Sequence, residues 1–435
     1  MTEIMTEVRI QKLLQIYITF LILFTLLNGA ISNFAPGFGD LGLGTILLDI
    51  ALALGLFLVF LLFTGIKSFR KQTFFIIFFF FFFSLLLALK SGLDDNSIAQ
   101  RLLGWRNYVI YALPMLIVMF LRWESYKYLR MITFITTFIC LFAVSQYFLK
   151  DFYPENFLKL SVEDNEFSFY GTEIVRVNGL IGNTIIFTGF SLISCLLNMN
   201  LLIKKKNNLY LLGLIVSYIA LCFTFSRAAW VIGTAVLMLN YMLIIRLEVK
   251  RLILFMSVLT LASVTTYSWL TSNTDSFVYR RLFSREASTQ GSDNAHTTQI
   301  SAAIAELQVH PMLGVGLGTQ GGSAQAEEII ITDGWILQTA LEFGIPLTVL
   351  YVIGMILACS YSLWAMNYKK VTIDILAATF FSTSVYFFAT SILNSALTGK
   401  TVYILYFILF GLLLSAIFDV VYPHRIRRKN AANSL

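Results

Sequence analysis

Residues 209–245 read LYLLGLIVSYIALCFTFSRAAWVIGTAVLMLNYMLII, two apolar runs parted by a single arginine. Each run, 209–225 and 228–245, approaches the roughly 20 apolar residues that a helix needs to cross the ~30 Å hydrocarbon layer of a membrane. Backbone groups in lipid must be satisfied within the segment, so runs of this length read as helices. Between them the chain must reverse within a few residues. Arg227 is then held at the membrane interface with a helix on either side. Such an arginine would meet the phosphate of a lipid; the plainer reading is snorkelling to headgroups.

The same pattern extends in both directions. The chain has 435 residues, 58% hydrophobic and 13% charged, with a mean hydropathy of +0.78. We read it as an all-α, polytopic membrane protein with one integral domain over 1–435 and about 12 transmembrane helices. The spans lie near 13–31, 45–66, 73–89, 107–121, 131–148, 184–203, 209–225, 228–245, 252–270, 336–362, 373–391 and 401–420. The phenylalanine run from Phe78 to Phe83 reads as a lipid-facing surface. Cys140, Cys195, Cys222 and Cys359 all fall in apolar runs, so neither a disulfide framework nor a thiolate metal site is expected. The first apolar run leads directly into further spans, so no cleavable signal peptide is expected.

Most of the 31 lysines and arginines cluster in alternate short turns, among them Lys67, Arg70 and Lys71, Lys204 to Lys206, Arg246, Lys250 and Arg251, and Arg425 to Lys429. This is the positive-inside pattern, which places both termini in the cytoplasm. It also accounts for the net charge of +7 without a nucleic-acid partner. The basic residues left on the outer face are Lys90, Arg101, Arg106, Lys150, Lys159, Arg176, Arg227, Arg280, Arg281, Arg285 and Lys400. Some can cap helices or pair with Asp94, Asp95, Glu163, Asp164 and Glu166. Outward arginines are also what binding a membrane-borne phosphate requires, because guanidinium grips phosphate through paired hydrogen bonds of fixed geometry.

The outer face carries two long connections, 149–183 and 271–335, whereas the inner turns are short. A two-halves transporter would show related halves and paired ionisable residues at mid-membrane. No internal repeat is visible, and ionisable residues within spans are few: Asp49, Asp374 and Glu342. Chemistry or binding at the outer surface is the better reading.

Four segments can carry that chemistry. Arg176 opens RVNGLIGN, where Asn178, Gly179 and Gly182 suggest a turn into a helix starting near Thr184, whose free N–H groups favour anions. Arg227 is the second. The third, HTTQISAAIAELQV over 296–309, is amphipathic at helical spacing, with Ile300, Ile304 and Leu307 on one face. His310-Pro311 ends it, and Gly314, Gly316 and Gly318 follow. Three glycines resemble a phosphate-cradling loop, but they follow a helix and not a strand, so a tight turn lining a site is the better reading. The fourth, DGWILQTALEFGIP, returns to the membrane at Asp333. As an N-cap this carboxylate needs no further role. With a raised pKa it could also take a proton from a sugar hydroxyl. His296 and His310 are alternatives for that task. No metal is expected, because three dispersed histidines, one of them the inner His424, do not make a ligand set.

In order and spacing, RVNGLIGN, SRAAW, HPMLGVGLG and DGWILQTALEFGIP resemble the O-antigen polymerase and O-antigen ligase superfamily of bacterial membrane glycosyltransferases. The resemblance covers most of the chain. It implies a GT-C-like helical transferase at the outer face of the plasma membrane, acting on undecaprenyl-diphosphate-linked oligosaccharide as donor and acceptor, with no metal or other cofactor. A chain-length regulator is a further partner it allows. Arg176 and Arg227 match the arginines that hold the lipid pyrophosphate in that family, and Trp335 and Glu342 fall in its aromatic–LQ–E-x-G pattern, beside the glycan. Two positions depart from the pattern. Asp333 stands where the ligases have histidine, which favours polymerase over ligase. His296 stands where the family often has arginine, so Arg280, Arg281 or Arg285 would have to complete the set.

Overall fold

A computed structural model of the protein describes residues 2–34, 47–55, 57, 71–121, 124–149, 166–169, 172–246, 268, 272, 287–320, 332 and 334–421. Most of the expected span 252–270, most of the 149–183 loop before residue 166, and Arg280, Arg281, Arg285 and Asp333 lie outside the described residues.

The helices are α1 (Thr2–Phe34), α2 (Lys71–Ser91), α3 (Ile98–Tyr108), α4 (Leu113–Met119), α5 (Ser125–Phe148), α6 (Thr184–Lys205), α7 (Asn208–Cys222), α8 (Thr234–Ile245), α9 (Ala287–Val309), α10 (Trp335–Phe343), α11 (Ile345–Ala365), α12 (Val371–Ala389) and α13 (Lys400–Val421). Among the described residues, seven stretches are long and apolar enough to cross a membrane. They are 11–28 of α1, Ile98–Met119, α5, α6, Ile345–Tyr368, α12 and Lys400–Val420, and three shorter apolar helices accompany them. The protein is thus a polytopic helical membrane protein. The fold is all-α as expected, with one short addition: Glu166–Phe169 and Thr172–Val175 pair as an antiparallel hairpin, with Phe169 opposite Thr172.

One correction concerns the run 336–362, which hydropathy reads as one span. It is two helices, α10 and α11, parted at Gly344. Gly344 has a φ of +77°, and a Cβ there would lie 2.1 Å from the Met312 carbonyl oxygen. The chain therefore bends where only glycine avoids both strain and collision, and Pro346 restarts the helix in its first turn.

Helices α6 and α13 form the interior. Lipid tails are as apolar as leucine, so polar side chains help hold such helices together. Ser194 and Ser217 meet at 2.8 Å, and Asn198 donates to Thr137 at 2.8 Å. Asn200 donates to Thr379 at 2.9 Å, and Asn240 donates back to Asn200 at 2.6 Å. At one end of these helices, Asp374 accepts from both Lys204 and Arg246, each at 3.0 Å. Lys206, Arg246 and Lys369 take left-handed backbone conformations in the turns beside it.

Candidate functional site

The Arg176 segment is built by the turn that its sequence suggests. Gly179, with a φ of +59°, and Gly182, with +87°, reverse the chain, and Asn183 caps α6 by accepting from the Ile186 N–H at 3.1 Å. Gln146, a buried polar residue near the end of α5, holds the turn from the other side. It accepts from the Gly179 N–H at 2.9 Å and donates to the Gly179 carbonyl at 3.1 Å.

This turn lies against the reversal between α7 and the helical segment that follows. Val177 N–H donates to the Phe223 carbonyl at 3.2 Å, and Arg176 Nε donates to the Thr224 carbonyl at 2.9 Å. Thr224 is three positions before Arg227, so the structure brings the two arginine-bearing turns together. Among the described residues, the bond from Nε is the hydrogen bond that the Arg176 guanidinium makes. Burial lowers its pKa from the ordinary value, the mark of a cation short of solvent. The reversal itself is tight: Phe225 is left-handed at φ +52°, and Trp230 Nε1 ties back to the Cys222 carbonyl at 2.9 Å. A π-helical turn, Ala229–Gly233, then leads into α8.

The second limb is the glycine loop 310–320. Helix α9 ends at Val309 ahead of His310-Pro311, as expected, although Ile304 of its expected apolar face is exposed. Gly314, Gly316 and Gly318 have φ values of +65°, +118° and +76°. At Leu317, Gly318 and Gln320 the loop does not offer its N–H groups to a ligand, because carboxylates of the protein already occupy them. Glu342 Oε1 accepts from Gly318 and Gln320, both at 3.1 Å, and Asp94 Oδ2 accepts from Leu317 at 3.0 Å. Asp94 is in turn paired with Lys90 at 2.5 Å, and both side chains are nearly sealed. Gly104 of α3 completes the fit, since a Cβ there would come within 2.3 Å of the Gly318 nitrogen.

Beyond this loop, Gln320 Oε1 accepts from the Thr332 N–H at 3.3 Å, and Gln338 Nε2 donates to the Thr332 carbonyl. Gly334 lies so close to the Ile392 carbonyl that a Cβ would meet it at 2.4 Å. Both chain neighbours of Asp333 are therefore fixed. The turn 390–399 joins this limb to the first: Ile336 N–H donates to the Ser391 carbonyl at 3.2 Å, while Asn394 donates to Thr188 on α6 at 3.4 Å.

The remaining expected site residues are placed as follows. Trp335 is buried, with Nε1 donating to the Phe387 carbonyl at 2.7 Å. Glu342 is 2% exposed, and its pKa is pushed up to about 7, chiefly by burial against the opposing pull of Tyr108, the two N–H donors and Lys90. Both are enclosed in this conformation, so they shape the site from behind. His310 is half exposed and faces Glu306 at 3.6 Å. His296 lies on α9, partly exposed. No group of three or more His, Cys, Asp or Glu side chains that could hold a metal ion occurs among the described residues. The sequence reading passed over Gln146, Gln320 and Gln338. For Gln146 and Gln338 the signal was a glutamine within an apolar run, where a polar group must find a partner; Gln320, in the polar stretch GTQGGSAQ, gave none.

Among curated proteins, none matches the sequence. Residues 212–352 match a family model described as O-antigen ligase, a segment holding Arg227, the glycine loop and Glu342, and this match supports placing the chain in the O-antigen polymerase and O-antigen ligase superfamily.

Proposed function

We propose that the protein is a metal-independent glycosyltransferase of the outer face of the bacterial plasma membrane, with about twelve spans, GT-C-like, that polymerises undecaprenyl-diphosphate-linked oligosaccharide repeat units into a surface polysaccharide. The observation that carries this reading is the seating of Arg176 on the Thr224 carbonyl beside the Arg227 turn. It seats the Arg176 guanidinium against the turn that bears Arg227, and Arg176 itself lies in the segment that leads into α6, an arrangement suited to a diphosphate.

In this mechanism the acceptor hydroxyl oxygen attacks C1 of the donor sugar, and the C1–O bond to the diphosphate breaks. The bonding pair leaves with the lipid diphosphate, whose developing charge the arginines stabilise. Asp333 takes the hydroxyl proton, with His296 and His310 as the other candidates. Both long connections, 149–183 and 271–335, face the substrate. Purified protein turning over lipid-linked repeat units tests the base: Asp333→Asn is expected to lose about 10²- to 10⁴-fold in kcat, and a rate like wild type removes Asp333 from the mechanism.

A second reading, transfer of the finished glycan to another acceptor, is favoured by the O-antigen ligase description of the matching model. A deletion strain separates the two. Surface glycan reduced to single repeat units supports polymerisation, and full-length chains stranded on the lipid carrier support ligation.

A further inference from the structure

The reaction just proposed leaves one sealed polar cluster without a role. Glu342, Asp94 and Lys90 are buried, so they do not contact substrate in this conformation, yet their hydrogen bonds converge on the backbone of one loop. One oxygen of Glu342 gathers the N–H groups of Gly318 and Gln320, and Asp94 takes that of Leu317. The side chain of the same Gln320 then holds Thr332. Two successive hydrogen bonds thus run from Glu342 through Gln320 to Thr332, the residue that precedes Asp333. The steric fit is equally close: a Cβ on Gly318 would meet the Gln100 carbonyl at 2.1 Å, and one on Gly316 the Asn96 side chain at 2.1 Å.

A loop with three left-handed glycines has many conformations open to it. Buried acceptor oxygens that take several N–H groups at once select one of them, because a sealed N–H left without a partner is costly. We propose that Glu342 and Asp94 are positioning residues: they anchor the glycine loop to α10 and to the connection between α2 and α3, and through Gln320 Glu342 sets where the chain bearing Asp333 stands relative to the arginine-bearing turns. This rests on reading Asp333 as the base. Glu342 acts through the backbone and is not a catalytic residue.

The test uses the full-length protein with lipid-linked repeat units, and reads amide hydrogen exchange over 312–320 together with kcat and KM. Glu342→Ala is expected to speed exchange at Gly318 and Gln320 by about tenfold or more. It should lower kcat by about 10²-fold, the cost of a roughly 1 Å misplacement, while KM for the donor stays within about threefold, since the diphosphate is held on other elements. Glu342→Gln keeps an acceptor oxygen and is expected to restore both exchange protection and kcat. Asp94→Asn should act likewise at Leu317. Faster exchange with unchanged kcat overturns the proposal, as does a raised KM at unchanged kcat. If Glu342→Ala does not fold, Glu342→Gln decides, and a kcat as low as that of Asp333→Asn overturns a positioning role. Asp333→Asn is measured alongside: full activity there fails the base assignment, whereas the exchange data report the anchoring of the loop regardless.

Discussion

Replacing Arg176 separates its two roles. In the folded protein Nε donates to the Thr224 carbonyl at 2.9 Å, and the proposed ligand meets the terminal nitrogens of the same guanidinium. A hydrogen bond from a charged donor contributes about 1.5–3 kcal/mol, but the Val177 N–H to Phe223 carbonyl bond holds the same pair of turns. Loss of the tether alone should therefore cost toward the lower figure. A phosphate charge about 4 Å from the guanidinium gains about 4 kcal/mol at an effective dielectric constant near 20. With about 1.4 kcal/mol per factor of ten, Arg176→Ala is expected to lower kcat/KM for lipid-linked repeat units by about 10²- to 10³-fold. Arg176→Lys keeps the charge and loses the fork and the tether, so about a tenfold loss is expected. The assay is turnover by purified protein, with product length read on a gel and folding checked by thermal unfolding. Wild-type kcat/KM in Arg176→Ala would refute the diphosphate role, and equal losses in the lysine and alanine variants would refute the division into charge and tether.

Gly318→Ala forces a left-handed alanine, at about 1–2 kcal/mol, and places Cβ against the Gln100 carbonyl. A clear drop in thermal stability is expected, whereas Gly92→Ala, whose nearest contact is the Leu89 carbonyl at 3.3 Å, should be nearly neutral. Glu342 favours its neutral form in the folded state, with a pKa raised from 4.5 to about 7. Its contribution is complete below pH 4.5 and is lost as pH rises through 7, a span of about 3 kcal/mol. The Tm of wild type should therefore fall more steeply than that of Glu342→Gln across that window, and parallel curves would contradict the linkage. Asp374→Asn leaves Lys204 and Arg246 without their shared carboxylate. Both bases are partly exposed, so the loss should be about 1–2 kcal/mol, below the figure for a fully buried pair, with turnover unchanged.

Local chemistry was legible from the amino-acid order. The polytopic helical class, the reversal at Ser226–Ala228, the cap ahead of Thr184 and the end of α9 at His310 each depend on hydropathy, a cap or a breaker acting within a few residues. Tertiary structure decided the rest. The run 336–362 is broken because Gly344 meets the Met312 carbonyl, an obstacle that no hydropathy window contains. The glycine loop looked like a turn lining a site, and its occupants, Asp94 and Glu342, come from distant parts of the chain. Arg176 was singled out, but its seat is the carbonyl of Thr224, and a backbone acceptor leaves no mark on residue identity. Sequence alone determined which residues are costly to place in a membrane; only the fold, by setting which backbone groups face them, decided what each one holds.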